Sequence, residues 1–248
     1  MGDVAQRLSV YPALGAPVRV SLTMLGAHAC PYLPGRVSTS RAFLTKRLDP
    51  LLYHAFMDAG FRRSGRLIYQ PVCAGCRACV PVRVPVDRFV HSKSQRRCWR
   101  RNADLRVEVG LPAPTAEKFE LYRRYTTGRH DDQQPTDLES FLAFLYESPV
   151  DTLEFVYRDA AGQLLAVGIC DVCASSLSSV YFYFDPEEEK RGLGTYSALW
   201  EIEYARREKI PHYYLGYWIK GAPTMEYKAN FRPNELLNTD GIWRADGS

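Results

Sequence analysis

The residues of this chain that could hold a metal ion or meet a polyanion are unevenly spread. Cys73, Cys76 and Cys79 form CxxCxxC in PVCAGCRACVP, and Cys30 stands apart in ACPYLPGR. A CxxC turn aims two thiolates at one ion. A third cysteine plus Cys30 from a distant segment would complete four soft ligands, a set suited to zinc or an iron–sulfur cluster. The same cysteines also read as reduced thiols that only pack. Cys98 lies in RRCWRR. Cys170 and Cys173 fall in the strand-like GICDVC, where a spacing of three sends them to opposite faces and into a core. Seven cysteines are an odd number, and no export signal is visible because Arg7 and Arg19 interrupt the N-terminal apolar stretches. The expectation is therefore thiols, not disulfides, and a cytoplasmic location.

Charge is concentrated as well. Residues 61–101 hold eleven Lys or Arg and one acid, Asp87, so the rest of a chain with 32 bases and 28 acids is net acidic. The densest part is KSQRRCWRRN. Lys93, Arg96, Arg97, Arg100 and Arg101 are candidates for contacts with nucleic-acid phosphates, where binding gains from counterion release and from bidentate guanidinium geometry. Trp99 among them could stack on a base or on the terminal adenine of an RNA. No DNA-reading motif is present, so the expected partner is structured or single-stranded RNA. The competing reading is a solvated basic face.

The elements that must position these groups follow from length and pattern. The chain has 248 residues, is 46% hydrophobic and 12% aromatic, and has net charge +4, which excludes disorder as the main state. The longest clear apolar run, 164–170, is far short of a membrane span. Helical spacing marks 44–60, with Gly60 at the end, and a helix is expected to begin within 87–102. A helix over 115–127 is capped by Thr115, and Asp137 caps another. Strands are expected at 67–69, 80–86, 105–109, 152–157, 164–173, 179–184 and 212–217. Residues 1 to about 20 are a weakly patterned lead-in, and 128–135 is a polar loop. The order strand, Gly turn (190–194), helix (195–209), strand exposes backbone N–H groups at a helix start. N-acetyltransferase-superfamily enzymes use such a turn for acetyl-CoA, although Glu189 here would repel a pyrophosphate. The expected fold is α/β and N-acetyltransferase-like, with a smaller Cys-containing, basic N-terminal lobe over 1–104 and an acyl-transfer lobe over 105–248.

Longer motifs carry a family resemblance. CPYLPGR, GFRRSGRLIYQPVCAGCRACVPVRV and SQRRCWRRNADL are followed by YFYFDP, RGLGTYSALWEIEYAR and HYYLGYWIKGAPTMEYKANFRPNELL. Over roughly 28–243 the chain resembles the arginyl-tRNA–protein transferases, and within them the bacterial aspartate/glutamate leucyltransferases. The resemblance implies transfer of an amino acid from its tRNA ester to the N-terminal amine of a protein beginning with Asp or Glu, which marks that protein for degradation in the N-degron pathway. It implies no cofactor for the transfer. Eukaryotic members link their N-terminal cysteines to iron–sulfur binding but carry a paired cysteine where this chain has Cys30-Pro31. Cys30, Cys73, Cys76 and Cys79 stay candidate ligands of zinc or a cluster.

The ester is already activated, so the chemistry needs a neutral, well-placed amine, a proton acceptor, an oxyanion donor and a cation for the acceptor's acidic side chain. Asp185, at the end of the aromatic strand, is the candidate for accepting an amine proton. Tyr183 and Tyr217 are candidates for hydroxyls in the same cleft. Gly192, Leu193 and Gly194 are candidates for the oxyanion or the terminal adenosine. Lys228 and Arg232 compete with Arg62 and Arg63 for the substrate carboxylate. Leu as donor follows from the resemblance to the bacterial branch, with Arg-tRNA as the alternative. Two other readings are a CoA-dependent N-acetyltransferase and a non-enzymatic, metal-containing RNA-binding or redox-sensing protein.

Overall fold

Asp49 starts the first helix, α1 (Pro50–Asp58). Its carboxylate accepts the N–H groups of Leu51 and Leu52 at 2.9 and 3.2 Å, and proline fills the first helical position. This helix is shorter than the 44–60 its periodicity predicts, because Ser40–Leu44 is extended and pairs with Leu67–Pro71. The computed structural model describes residues 19–129, 136–173 and 175–246. The expected lead-in before residue 19 lies outside the described residues, as does the expected polar loop over 128–135 from residue 130 on, while 128–129 continue the preceding helix.

A four-stranded sheet forms from β1 (Thr23–Met24), β4 (Ser40–Leu44), β6 (Leu67–Pro71) and β5 (Arg62–Ser64), in that spatial order. A small hairpin, β2 (His28–Ala29) with β3 (Val37–Ser38), sits beside Cys30. The larger sheet has eight strands. Its order is β14 (Trp243–Ala245), β13 (Glu235–Leu237), β7 (Val80–Pro85), β12 (His212–Trp218), β11 (Ser176–Phe184), β10 (Leu164–Cys173), β9 (Thr152–Arg158) and β8 (Arg106–Gly110). The mixed sheet and its helices make an α/β fold. Strand β7, from the N-terminal side of residue 105, lies between β12 and β13, so both sides of the expected division share this sheet.

Strand β10 is buried at every position except Val172, as an unbroken apolar run with both faces covered should be. Cys170 and Cys173 are among its core residues. Helix α2 (Lys93–Arg101) is closed at its start by a capping box between Ser92 and Gln95. Thr115 and Asp137 cap α3 (Ala116–Arg129) and α4 (Leu138–Phe141), accepting the N–H groups of Lys118 and Ser140 at 3.3 and 2.8 Å. Helix α5 (Leu193–Arg207) starts at Gly192, which takes φ 70°, and so begins two residues before the expected 195. It carries the chain from β11 across to β12, and those two strands are parallel. No described helix is long and apolar enough to cross a membrane.

Candidate active site

Strands β11 and β12 stay paired for a short distance only. Ser176, Ser178 and Leu177 face His212, Tyr214 and Tyr213, and no pairing continues beyond Ser178 and Tyr214. Gly216, at φ 91°, accompanies a register shift between β12 and β7. Such an irregularity bends a strand. The guanidinium of Arg62 enters where the strands part. Its Nη2 donates to the Ser179 carbonyl at 3.0 Å. A Cβ at Gly216 would meet Arg62 Nη2 at 3.3 Å and Lys228 Nζ at 3.4 Å. Two cationic heads from segments far apart in sequence therefore crowd one glycine. Lys228, in the 3-10 turn Tyr227–Asn230, donates to the Tyr217 carbonyl at 3.1 Å and lies 3.4 Å from the Met225 sulfur. Both residues are buried, and among the described residues neither forms an ion pair with a carboxylate. Burial and then the charge of Arg62 push the Lys228 amine down to about 7. Two buried basic groups without a counterion are left with unmet electrostatic demand.

Tyr217 belongs to the same neighbourhood. Its hydroxyl donates to the Gly60 carbonyl at 2.8 Å, and burial, then Tyr69, raise the phenol well above its ordinary range. The other proposed cations lie elsewhere. Arg63, next to Arg62 in β5, points into the core and binds Asp171 in bidentate fashion at 2.6 and 2.8 Å. Tyr53 and Thr152 complete that carboxylate's partners at 2.8 and 2.9 Å. Arg232 is exposed and pairs with Asp246 at 2.8 Å. Asp185 is engaged at the far end of β11. Arg124 donates to its two oxygens at 3.1 and 3.0 Å, and the Glu187 N–H completes a cap at 3.2 Å. Tyr183 is fully buried, with the Tyr122 ring 5.6 Å away. Arg62, Lys228 and Tyr217 thus come together, whereas Arg63, Arg232, Asp185 and Tyr183 do not join them.

A concavity of about 300 Å³ lies between α2, the start of α5 and the turn carrying Lys228. Arg97, Arg101, Gly192, Thr195 and Tyr227 are in its wall. Cys98 fixes this junction by donating to the Gly192 carbonyl at 3.4 Å. Leu193 is buried, and Gly194 lies 4.0 Å from the Phe182 ring when given a Cβ. On α2, Lys93, Arg96, Arg97, Arg100 and Arg101 are all exposed and form no ion pair with a carboxylate among the described residues. Arg96 and Arg101 donate to the His91 and Lys190 carbonyls at 2.6 and 2.5 Å. Trp99 is half-buried, and its ring packs on Tyr196 and His91 at 5.4 and 5.3 Å. It anchors α2 to α5.

The four N-terminal thiols are neighbours. Burial first, then Cys73, Cys30 and Cys76, push the Cys79 thiol up to about 12. Cys73 donates to the Thr39 carbonyl at 3.6 Å. Among the described residues no group of three or more His, Cys, Asp or Glu has the geometry to hold a metal ion. The chemistry of four thiol donors suits a soft ion.

Sequence reasoning missed Gly216, Ser179 and Arg124. The GYW after an alternating strand was the one local signal for a bend at Gly216. It also missed Glu201, a buried carboxylate on α5 that accepts from Ser197 and Tyr213 and that burial pushes upward.

A strand-to-helix crossover, two buried basic groups where its strands part and a basic helix beside the crossover's turn are combined in one α/β protein. Family comparison is more specific. Residues 28–97 match the N-terminal model, and residues 117–238 the C-terminal model, of arginine-tRNA-protein transferase, and the chain belongs to this family. It is 41% identical over 217 residues to the aspartate/glutamate leucyltransferase of Hahella chejuensis, covering 86% of this chain and 92% of that protein. The protein of the same name from Halorhodospira halophila is 43% identical over 236 residues, covering 92% and 98%. A solved structure of the C-terminal domain of a putative lysylphosphatidylglycerol synthetase from Agrobacterium fabrum is similar at TM-score 0.47 and 15% identity, covering 72% of this chain and 54% of that one.

Proposed function

We propose that this chain transfers leucine from Leu-tRNA to the N-terminal amine of proteins that begin with Asp or Glu. The observation that carries the reading is the pair of buried cations, Arg62 and Lys228, beside Gly216 with no carboxylate partner among the described residues. An acidic side chain entering there neutralises both heads, and a neutral side chain leaves them crowded. The preference for acidic N-termini follows from that difference. In the reaction the acceptor nitrogen attacks the ester carbonyl, the amide bond forms and the bond to the ribose oxygen breaks. The exposed bases of α2 lie on one helix, which suits phosphates of the tRNA. The N–H groups of Leu193 and Gly194, in the first turn of α5, have no acceptor within the helix and suit the terminal adenosine or the oxyanion. The compartment this assigns is the cytoplasm, where aminoacyl-tRNA is made.

Leu as donor is favoured over Arg because relatives at 41% and 43% identity are aspartate/glutamate leucyltransferases. A zinc ion or cluster on Cys30, Cys73, Cys76 and Cys79 is a separate element of the proposal, supported by their mutual influence on Cys79. Metal analysis of the purified protein tests it. The transfer itself is tested with labelled Leu-tRNA and Arg-tRNA and peptides that start with Asp, Glu or Ala. Label moving from Leu-tRNA to the Asp and Glu peptides alone is the expected result. Transfer from Arg-tRNA changes the donor, and transfer from neither, with acetyl-CoA bound instead, replaces the reading.

A further inference from the structure

The acceptor arrives as an ammonium ion and must become an amine before it can attack, so the site needs a proton acceptor near the acidic side chain. Among the described residues no carboxylate pairs with Arg62 or Lys228, and the other candidate carboxylates are engaged elsewhere. Asp185 is held by Arg124 and the Glu187 N–H, and the two oxygens of Glu201 accept from Ser197 and Tyr213. We propose that Lys228 is the base that takes the proton from the acceptor's α-ammonium group, and that the acceptor's own side-chain carboxylate enables it to hold that proton. The inference rests on the acceptor reading above and adds a catalytic role to a residue assigned there to recognition.

The geometry makes the two roles one event. Lys228 Nζ has one oxygen partner among the described residues, the Tyr217 carbonyl at 3.1 Å, and shares the space over Gly216 with Arg62. The groups facing it are the Arg62 guanidinium from β5, the Tyr217 carbonyl from β12 and the Met225 sulfur at 3.4 Å. Glu226 on α6 (Pro223–Glu226) is exposed and forms no ion pair with it. With the site empty, burial and Arg62 both disfavour the ammonium form, and the amine sits at about 7. An arriving carboxylate reverses the second effect and compensates the first. In an N-terminal Asp or Glu the α-nitrogen and the carboxylate are only a few bonds apart, so one lysine amine can hydrogen-bond to both. The proton leaves the α-nitrogen for Lys228, and the resulting cation pairs with the substrate carboxylate. The freed amine attacks the ester carbonyl. On collapse, the second proton lost from nitrogen goes to the departing ribose oxygen, which becomes a hydroxyl. An acidic N-terminus is then a condition of the chemistry as well as of binding.

Two measurements on the full chain test this. The first compares steady-state transfer from Leu-tRNA to an Asp-peptide by wild type and K228R, since arginine keeps the cation but cannot act as a base near neutrality. The expected result is KM for the peptide within about threefold of wild type and kcat at pH 7.5 lower by at least about tenfold, with the deficit shrinking as pH rises. A K228R kcat within about threefold of wild type at pH 7.5 overturns the proposal and leaves the acceptor reading intact. Failure of the wild type to use Asp or Glu peptides at all would instead remove that reading. The second measurement needs no variant. Peptide binding is followed by calorimetry in buffers of different ionisation enthalpy, with an Asp-peptide and with the succinyl peptide that lacks the α-amine. The Asp-peptide should bind with little net proton exchange, because the proton moves within the complex, and the succinyl peptide with uptake from buffer. Equal uptake by both overturns the proposal.

Discussion

Replacing Arg62 and Arg63 one at a time by methionine tests whether the structure has separated function from stability in two adjacent residues. Both side chains are buried, at 8% and 5% exposure, so burial alone does not tell them apart. Their partners do. The Arg63 guanidinium shares Asp171 with Tyr53 and Thr152, and R63M leaves that carboxylate buried without its cation. Breaking a buried pair from one side costs about 3–5 kcal/mol. For a chain of this length that lowers Tm by roughly 6–20 °C. Arg62 loses a single hydrogen bond, to the Ser179 carbonyl, and its removal relieves the repulsion felt by Lys228. R62M should therefore melt within about 3 °C of wild type. It should lower kcat/KM for an Asp-peptide by about ten- to hundredfold, the worth of a hydrogen bond between charged groups. The assay pairs circular-dichroism melting with label transfer at subsaturating peptide. Equal melting losses for the two variants, or an R63M that melts like wild type, would refute the assignment.

Lys228 links stability to pH. Its folded pKa of about 7 lies below that of an ordinary lysine, so the folded chain refuses a proton that the unfolded chain takes. Above about pH 10 neither state is protonated and there is no penalty, but between there and about pH 7 stability falls with falling pH and then levels off. K228M should be more stable than wild type by up to about 4 kcal/mol at pH 7, an advantage that vanishes near pH 10, and it should lose transfer; denaturant titrations across this range measure it. On α2, R96A, R97A and R100A should each weaken tRNA binding and reduce the salt slope by a little under one, with kcat at saturating tRNA unchanged, as filter binding and kinetics can show. G216A places a methyl group 3.3 Å from Arg62 Nη2 at a residue with φ 91°. It should raise KM for the Asp-peptide about tenfold in steady-state assays, while the unfavourable φ costs about 1–2 kcal/mol in a melt.

Local patterns in the sequence carried the secondary structure and the family. Asp137 and Thr115 announce helix starts because their side chains can satisfy the first free N–H groups, and both do. The apolar run of β10 announces a strand covered on both faces, and with it the burial of Cys170 and Cys173. The basic stretch from Lys93 announces a charged helix. The α1 boundary was less legible, because Asp49 and Pro50 set its start while Leu44 pairs with β6, a partner well down the chain.

Which charges have a carboxylate partner and which do not was decided by tertiary structure. Alternation along β5 sends Arg62 and Arg63 to opposite faces, but the sequence does not say which face meets a carboxylate. Asp171, which claims Arg63, is 108 residues away, and Ser179, which positions Arg62, is 117 away. Arg124 claims Asp185 from a different helix, 61 residues away. A side chain's charge is fixed by its type, whereas its pKa and its free valence are fixed by what packs around it. For Arg62, Lys228 and Gly216 those neighbours come from three segments that meet only when β11 and β12 part.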